Sequence, residues 1–215
     1  LKAIRLDSGD LAYLAKRSRA MLDAADLHEV KIAASNQLDE YVIRSLLAQE
    51  APIDVFGVGT SLVIGRPDAA LDGVYKLAAV GGRPVIKLSE NVSKITLPAK
   101  KQVWRVIDRD GLFLGADVVG LLGEGGISQM HHPFVPHQSF AIAGHETEPL
   151  LQMVMDRGRI VQDPPSLSRT ARYCRERLDL LPDEYKRFEN PHIYKVGLSG
   201  ELKSLRNRLI AQHRK

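Results

Sequence analysis

The sequence predicts an α/β fold that opens with parallel strand-and-helix units, passes into antiparallel strands and closes on a helical tail. Three observations carry this expectation. Three short apolar runs rich in branched residues, AIRLD (3–7), VKIAAS (30–35) and IDVFGVG (53–59), lack strict polar alternation, as buried parallel strands do. Their polar landmarks Asp7, Ser35 and Thr60 lie 28 and 25 residues apart, the spacing of successive strand–helix crossovers. After Thr60 that period stops, and glycine-centred turns between apolar runs take over.

Each element follows in order. Between the first two runs, Leu11, Leu14, Ala15, Met21 and Leu22 fall close to helical spacing, with Lys16, Arg17 and Arg19 elsewhere on the turn. Between the second and third, Leu38, Val42 and Leu46 repeat the pattern, with Asn36 as the expected N-cap and Asp39 favourable to the first turn. The stretch LDGVYKLAAVGGRPVIKLSE reads as two strands around Gly81-Gly82, and VWRVIDRDGLFLGADVV as a hairpin through Asp110-Gly111. EPLLQMVMDRG and SLSRTARYCRERLDLL read as helices separated by Pro164-Pro165, and SGELKSLRNRLIAQH as a closing helix. Boundaries are expected near 98 and 147, giving segments 1–98, 99–147 and 148–215.

Composition narrows the function classes. With 44% hydrophobic and 26% charged residues, the chain has the balance of a soluble globular protein rather than a disordered one. No apolar run approaches the roughly 18 to 20 residues needed to span a bilayer, and no leader pattern opens the chain. Cys174 is the only cysteine, has no intrachain disulfide partner and reads as packing, which suits a reducing, cytoplasmic compartment. Residues 151–215 hold 14 Lys and Arg against 8 Asp and Glu, yet the signs interleave and no aromatic platform accompanies them. A solvated helical face, not a nucleic-acid surface, is expected. The first residue is leucine and a strand begins almost at once, which suggests a fragment or a processed product.

In parallel α/β sheets, ligands meet the carboxyl ends of the strands, where loops and helix N-termini converge. Those ends carry Asp7-Ser8-Gly9-Asp10, Ser35-Asn36-Gln37 and Gly57-Val58-Gly59-Thr60-Ser61, all small or polar. The GVGTS loop suits a phosphate, through amides freed by glycine and two hydroxyls, although an ordinary tight turn uses the same residues. It lacks the GK[ST] ending of a P-loop and the third glycine of a dinucleotide fingerprint. Arg5 shares a strand face with Asp7 in a run otherwise fit for burial. Its charge needs either an ion pair with Asp7 or another carboxylate, or a ligand carboxylate for its fork. His131, His132 and His137 read as surface or packing residues, since no ligand constellation accompanies them. Trp104, Met153 and Met155 read as core fillers.

The segments IRLDSGDL (4–11), KIAASNQLDE (31–40), DVFGVGTSLV (54–63), GVYKLAAVGGRPVIKLSE (73–90) and RFENPHIYKVGLS (187–199) together resemble the C-terminal half of the nicotinate phosphoribosyltransferase family. The resemblance implies a type II phosphoribosyltransferase: part of an irregular, TIM-like α/β barrel over 1–98, a β-rich segment of a second domain, and a helical C-terminal region. It implies transfer of phosphoribose from phosphoribosyl pyrophosphate to nicotinate, giving nicotinate mononucleotide and pyrophosphate in NAD biosynthesis, with ATP hydrolysis and Mg2+. By the same pattern Arg5 and Asp7 would bind nicotinate. Ser8, Ser35, Asn36, Gly57, Gly59 and Thr60 would hold the phosphoribosyl group. The family's phosphorylated histidine and ring-stacking aromatic fall outside the matched motifs, so this chain by itself is expected to be inactive, and the full-length protein to be a homodimer. A nicotinamide or quinolinate phosphoribosyltransferase, or a non-catalytic assembly fragment, are the alternatives.

Overall fold

The computed structural model describes residues 1–70 and 72–213. The chain separates into two compact units, Leu1–Val74 and Tyr75–Lys215. The first boundary therefore falls earlier than the one anticipated near 98. The reason is local: the amide of Ala99 donates to Ala78 at 2.8 Å, tying the hairpin segment to the strands that follow. Nor do the contacts part at 147, because a strand crossing that position is built into the second unit's main sheet.

In the first unit, β1 (Ala3–Leu6), β2 (Lys31–Ser35) and β3 (Val55–Gly57) form a parallel sheet in that order. Helix α1 (Leu11–Ala24) joins β1 to β2, α2 (Glu40–Ala48) joins β2 to β3, and a single turn, α3 (Thr60–Val63), follows β3. Asp10 caps α1, its carboxylate accepting from the Tyr13 amide at 3.0 Å. Asp39, not Asn36, caps α2 by accepting from Val42 at 2.8 Å. Asn36 stands too far ahead of the helix and takes a left-handed backbone, φ +79°. Ala12, Ala15 and Leu22 of α1 meet Ile32 and Ala34 of β2, with Leu38 and Leu46 completing the core. Burying each of the larger side chains contributes roughly 1.5–3 kcal/mol.

The strands were expected to be buried throughout, and they are not. Ile4, Leu6 and Phe56 pack against this core, whereas Arg5, Val55 and Gly57 alternate onto the opposite, exposed face. Among the described residues the sheet has three strands and is open, with no closed barrel.

The second unit begins with a hairpin, β4 (Ala79–Val80) and β5 (Arg83–Pro84), turned by Gly81 and Gly82 at φ +53° and +77°. Its main sheet has six strands in the order β10-β6-β7-β13-β8-β9. These are β6 (Lys101–Ile107), β7 (Phe113–Leu121), β8 (Gln129–His131), β9 (Ser139–Ala141), β10 (Glu146–Pro149) and β13 (Lys195–Leu198). The expected turn at Asp110-Gly111 joins β6 to β7, and the Asp108 carboxylate tightens it by accepting from the amides of Asp110 and Leu112, both at 2.9 Å. A small hairpin, β11 (Met155–Asp156) and β12 (Arg159–Ile160), precedes α4 (Leu167–Asp179), and α5 (Gly200–His213) follows β13 directly. None of the described helices is long and apolar enough to cross a membrane.

The tail is thus less helical than expected. EPLLQMVMDRG forms no helix: Glu146–Pro149 pairs with β6, and Arg157-Gly158 turns the β11–β12 hairpin at φ +46° and +77°. Gln102 holds the intervening chain extended, its amide accepting from Leu151 and donating to the Leu151 carbonyl, both at 2.9 Å. Trp104 packs against the second unit's core, but Met153 and Met155 are 69% and 57% exposed and fill nothing. Cys174, read as packing, is exposed.

Candidate active site

The carboxyl ends of β1, β2 and β3 lie side by side, because the three strands run parallel and in register. Arg5 stands opposite Ala33, and Ser35 opposite Gly57. Small neighbours on this face leave the Arg5 side chain room to reach across the sheet. Its guanidinium donates to the Ser35 hydroxyl at 3.1 Å and pairs with the Asp7 carboxylate at 3.1 Å. Arg5, Asp7 and Ser35, picked from three separate positions in sequence, are therefore one cluster. Of the two alternatives read from the sequence, the ion pair with Asp7 is the one the structure contains. Yet the side chains are 66% and 53% exposed, so no buried charge demanded it.

The other strand-end residues border this cluster without bonding to it. Ser8 and Asn36 are exposed in the turns after β1 and β2. Asn36 and Gln37 are consecutive left-handed residues, at φ +79° and +47°. Asparagine tolerates that conformation, whereas glutamine does so at a cost of roughly 1 kcal/mol or more, and such strain gathers where a loop must hold one shape. After β3, Gly59 precedes α3, and an added Cβ there would meet nothing within 4 Å. A Cβ on Gly57 would sit 3.4 Å from the Ser35 Cβ, an ordinary contact. The glycines therefore leave open space at this edge rather than relieving a clash. The first amides of α3 have no acceptor within the helix, the usual condition for meeting an oxygen-rich ligand.

What the arrangement offers is a planar cation whose two terminal nitrogens each hold one partner, next to an uncrowded glycine loop. A carboxylate on a flat ring matches the first and a phosphate matches the second. A magnesium ion fits less well. Asp7 is the single carboxylate in the cluster, and among the described residues no group of three or more His, Cys, Asp or Glu is placed to hold a metal ion. The N-cap role of Asp10 and the strain at Gln37 were not anticipated. An acid three residues before an amide of the following helix was the available signal for the first, and nothing in the sequence marks the second.

Residues 100–206 match the family model described as the nicotinate phosphoribosyltransferase C-terminal domain. A nicotinate phosphoribosyltransferase from Bacillus subtilis is 40% identical over 204 residues, covering 91% of this chain and 42% of that protein. The chain belongs to the nicotinate phosphoribosyltransferase family. Another member, from Mycobacterium tuberculosis, is 40% identical over 213 residues and covers 96% of this chain. The crystal structure of human nicotinic acid phosphoribosyltransferase superposes with a TM-score of 0.74 at 30% identity, over 97% of this chain and 40% of that one. The chain thus spans about two fifths of the length of the family members it matches.

Proposed function

We propose that this chain supplies the acceptor- and phosphate-binding part of a nicotinate phosphoribosyltransferase, which joins nicotinate to the ribose of phosphoribosyl pyrophosphate, releases pyrophosphate and hydrolyses ATP in NAD biosynthesis. The observation that carries the reading is the Arg5 guanidinium fixed between Asp7 and Ser35 at the carboxyl edge of the sheet. On this reading β1–β3 form part of an irregular α/β barrel, and the whole enzyme is a homodimer.

The residues have separable tasks. Arg5 presents its guanidinium to the nicotinate carboxylate, aligning the ring nitrogen with the anomeric carbon, while Asp7 keeps the fork from rotating. Ser8, Ser35 and Asn36 face the ribose, and Gly57, Gly59 and Thr60 receive the 5-phosphate. Departure of pyrophosphate leaves positive charge on the ribose ring, and the Asp7 carboxylate is the group at hand to offset it. Magnesium travels with the phosphates of the substrates in this reading, and no step here depends on a protein-made metal cage.

Titration calorimetry with nicotinate, nicotinamide and quinolinate tests the assignment. A charge-assisted contact is worth roughly 1.5–3 kcal/mol, so nicotinate should bind at least about tenfold more tightly than nicotinamide. Arg5→Ala should abolish that preference. Equal losses for both ligands would show that Arg5 makes no carboxylate contact.

A further inference from the structure

A second cavity, in the Tyr75–Lys215 unit, has a chemistry that nicotinate transfer leaves unexplained. It lies between α5 and the proline-rich loop 132–136, holds about 370 Å3 and has Val92, Ile95, Phe134 and Ile210 among its walls. That volume suits a small organic molecule. Lys203 and Arg206, one turn apart on α5, also line it. Lys203 donates to the Pro136 carbonyl at 3.2 Å and Arg206 to the Pro133 carbonyl at 2.7 Å. Neither has a carboxylate within ion-pair distance among the described residues. The Nε of Arg206 is enclosed and has no hydrogen-bond partner. Both side chains are part-buried, and the enclosed Nε of Arg206 is a charged donor without an acceptor beside apolar walls, a position that an anion's oxygen would complete.

His132 adds a neutral donor. Its Nδ1 accepts from the backbone amides of Phe134 at 3.1 Å and Val135 at 2.9 Å. Amides only donate, so the ring proton resides on Nε2, and His132 lines the same cavity. Two cations, one N–H and an apolar wall define the ligand's shape: an anionic head on an apolar body.

We propose that this cavity binds a small organic anion, a phosphate ester or carboxylate on an apolar body, with Lys203 and Arg206 as counter-charges and His132 as donor. The proposal does not depend on the strand-end site in the other unit.

The test is calorimetric titration of the 215-residue chain with phenyl phosphate, with inorganic phosphate, and with both against variants. Saturable binding of phenyl phosphate is expected, at least about tenfold tighter than inorganic phosphate because the ring buries apolar surface. Arg206→Gln should weaken it at least about tenfold, and Ile210→Glu, which places an acid in the wall and removes no hydrogen bond, should do the same. The second variant decides the matter if the first does not fold, as judged by its thermal midpoint. Absent binding, equal affinity for inorganic phosphate, indifference to both variants, or loss in Arg5→Ala instead would each overturn the proposal.

Discussion

Ser35 sits at the join of two strands and illustrates how one hydroxyl sets the behaviour of a distant cation. It receives a hydrogen bond from Arg5 while Asp7 holds the other side of the guanidinium, so Ser35→Ala should free the fork to rotate. The expected effect is a loss of nicotinate affinity smaller than that of Arg5→Ala, about three- to tenfold, read by the same calorimetry. His131 carries a pH dependence of its own. Burial, reinforced by the Lys203 ammonium whose Nζ lies 3.3 Å from its Nδ1, pulls the imidazole below its ordinary value of 6.5. A group depressed on folding takes up its proton more readily when unfolded, so its contribution is present above 6.5 and is lost as pH falls below it. Denaturant midpoints of the second unit should drop between about pH 7.5 and pH 5, and His131→Gln should flatten that slope.

Among elements, the six-stranded sheet depends on two tight points. Gly115 in β7 has φ +70°, and a Cβ there would lie 2.0 Å from the Tyr185 ring. Gly115→Ala therefore combines left-handed strain with overpacking and should destabilise the second unit by about 2–4 kcal/mol in chemical denaturation. Ser199 is fully buried where β13 meets α5. Its hydroxyl donates to Glu124 at 2.6 Å and accepts from the Leu202 amide at 3.1 Å. Ser199→Ala removes both bonds and leaves the Glu124 carboxylate with the Leu121 amide alone, at a cost of about 2–3 kcal/mol, whereas Ser199→Thr should retain most of the stability. The elements legible in sequence were those whose signals are local. β1, β2 and β3, α1, α2, α4 and α5 and the Asp110-Gly111 hairpin all follow from apolar runs, helical spacing and turn residues. EPLLQMVMDRG reads as helix from the propensity of its residues, but pairing with β6 and the Gln102 side chain, 49 residues away from Leu151, override that propensity.

At the scale of the whole molecule, two units with separate cores imply separable unfolding. Calorimetry of the chain should resolve two transitions, or a calorimetric enthalpy exceeding the van't Hoff value. Ser199→Ala should shift one of them and leave the other in place. The strand-end site has a further consequence at this scale. With Arg5 and Asp7 more than half exposed, water competes for each of their contacts, so the chain alone should form nicotinate mononucleotide slowly or not at all even where it binds nicotinate. The sequence by itself determined the parallel order of the first strands, the polar residues at their ends and the family they resemble, because strand spacing and motif order are written along the chain. Only the tertiary structure decided that Arg5 lies on an open face and reaches Ser35 across the sheet. It alone decided that Asp39 rather than Asn36 caps α2, and that Lys203, Arg206 and His132 meet around one cavity. The Arg5–Ser35 contact and the cavity depend on residues far apart in sequence coming together, which no periodicity encodes, whereas the cap depends on the backbone turning helical only at Glu40.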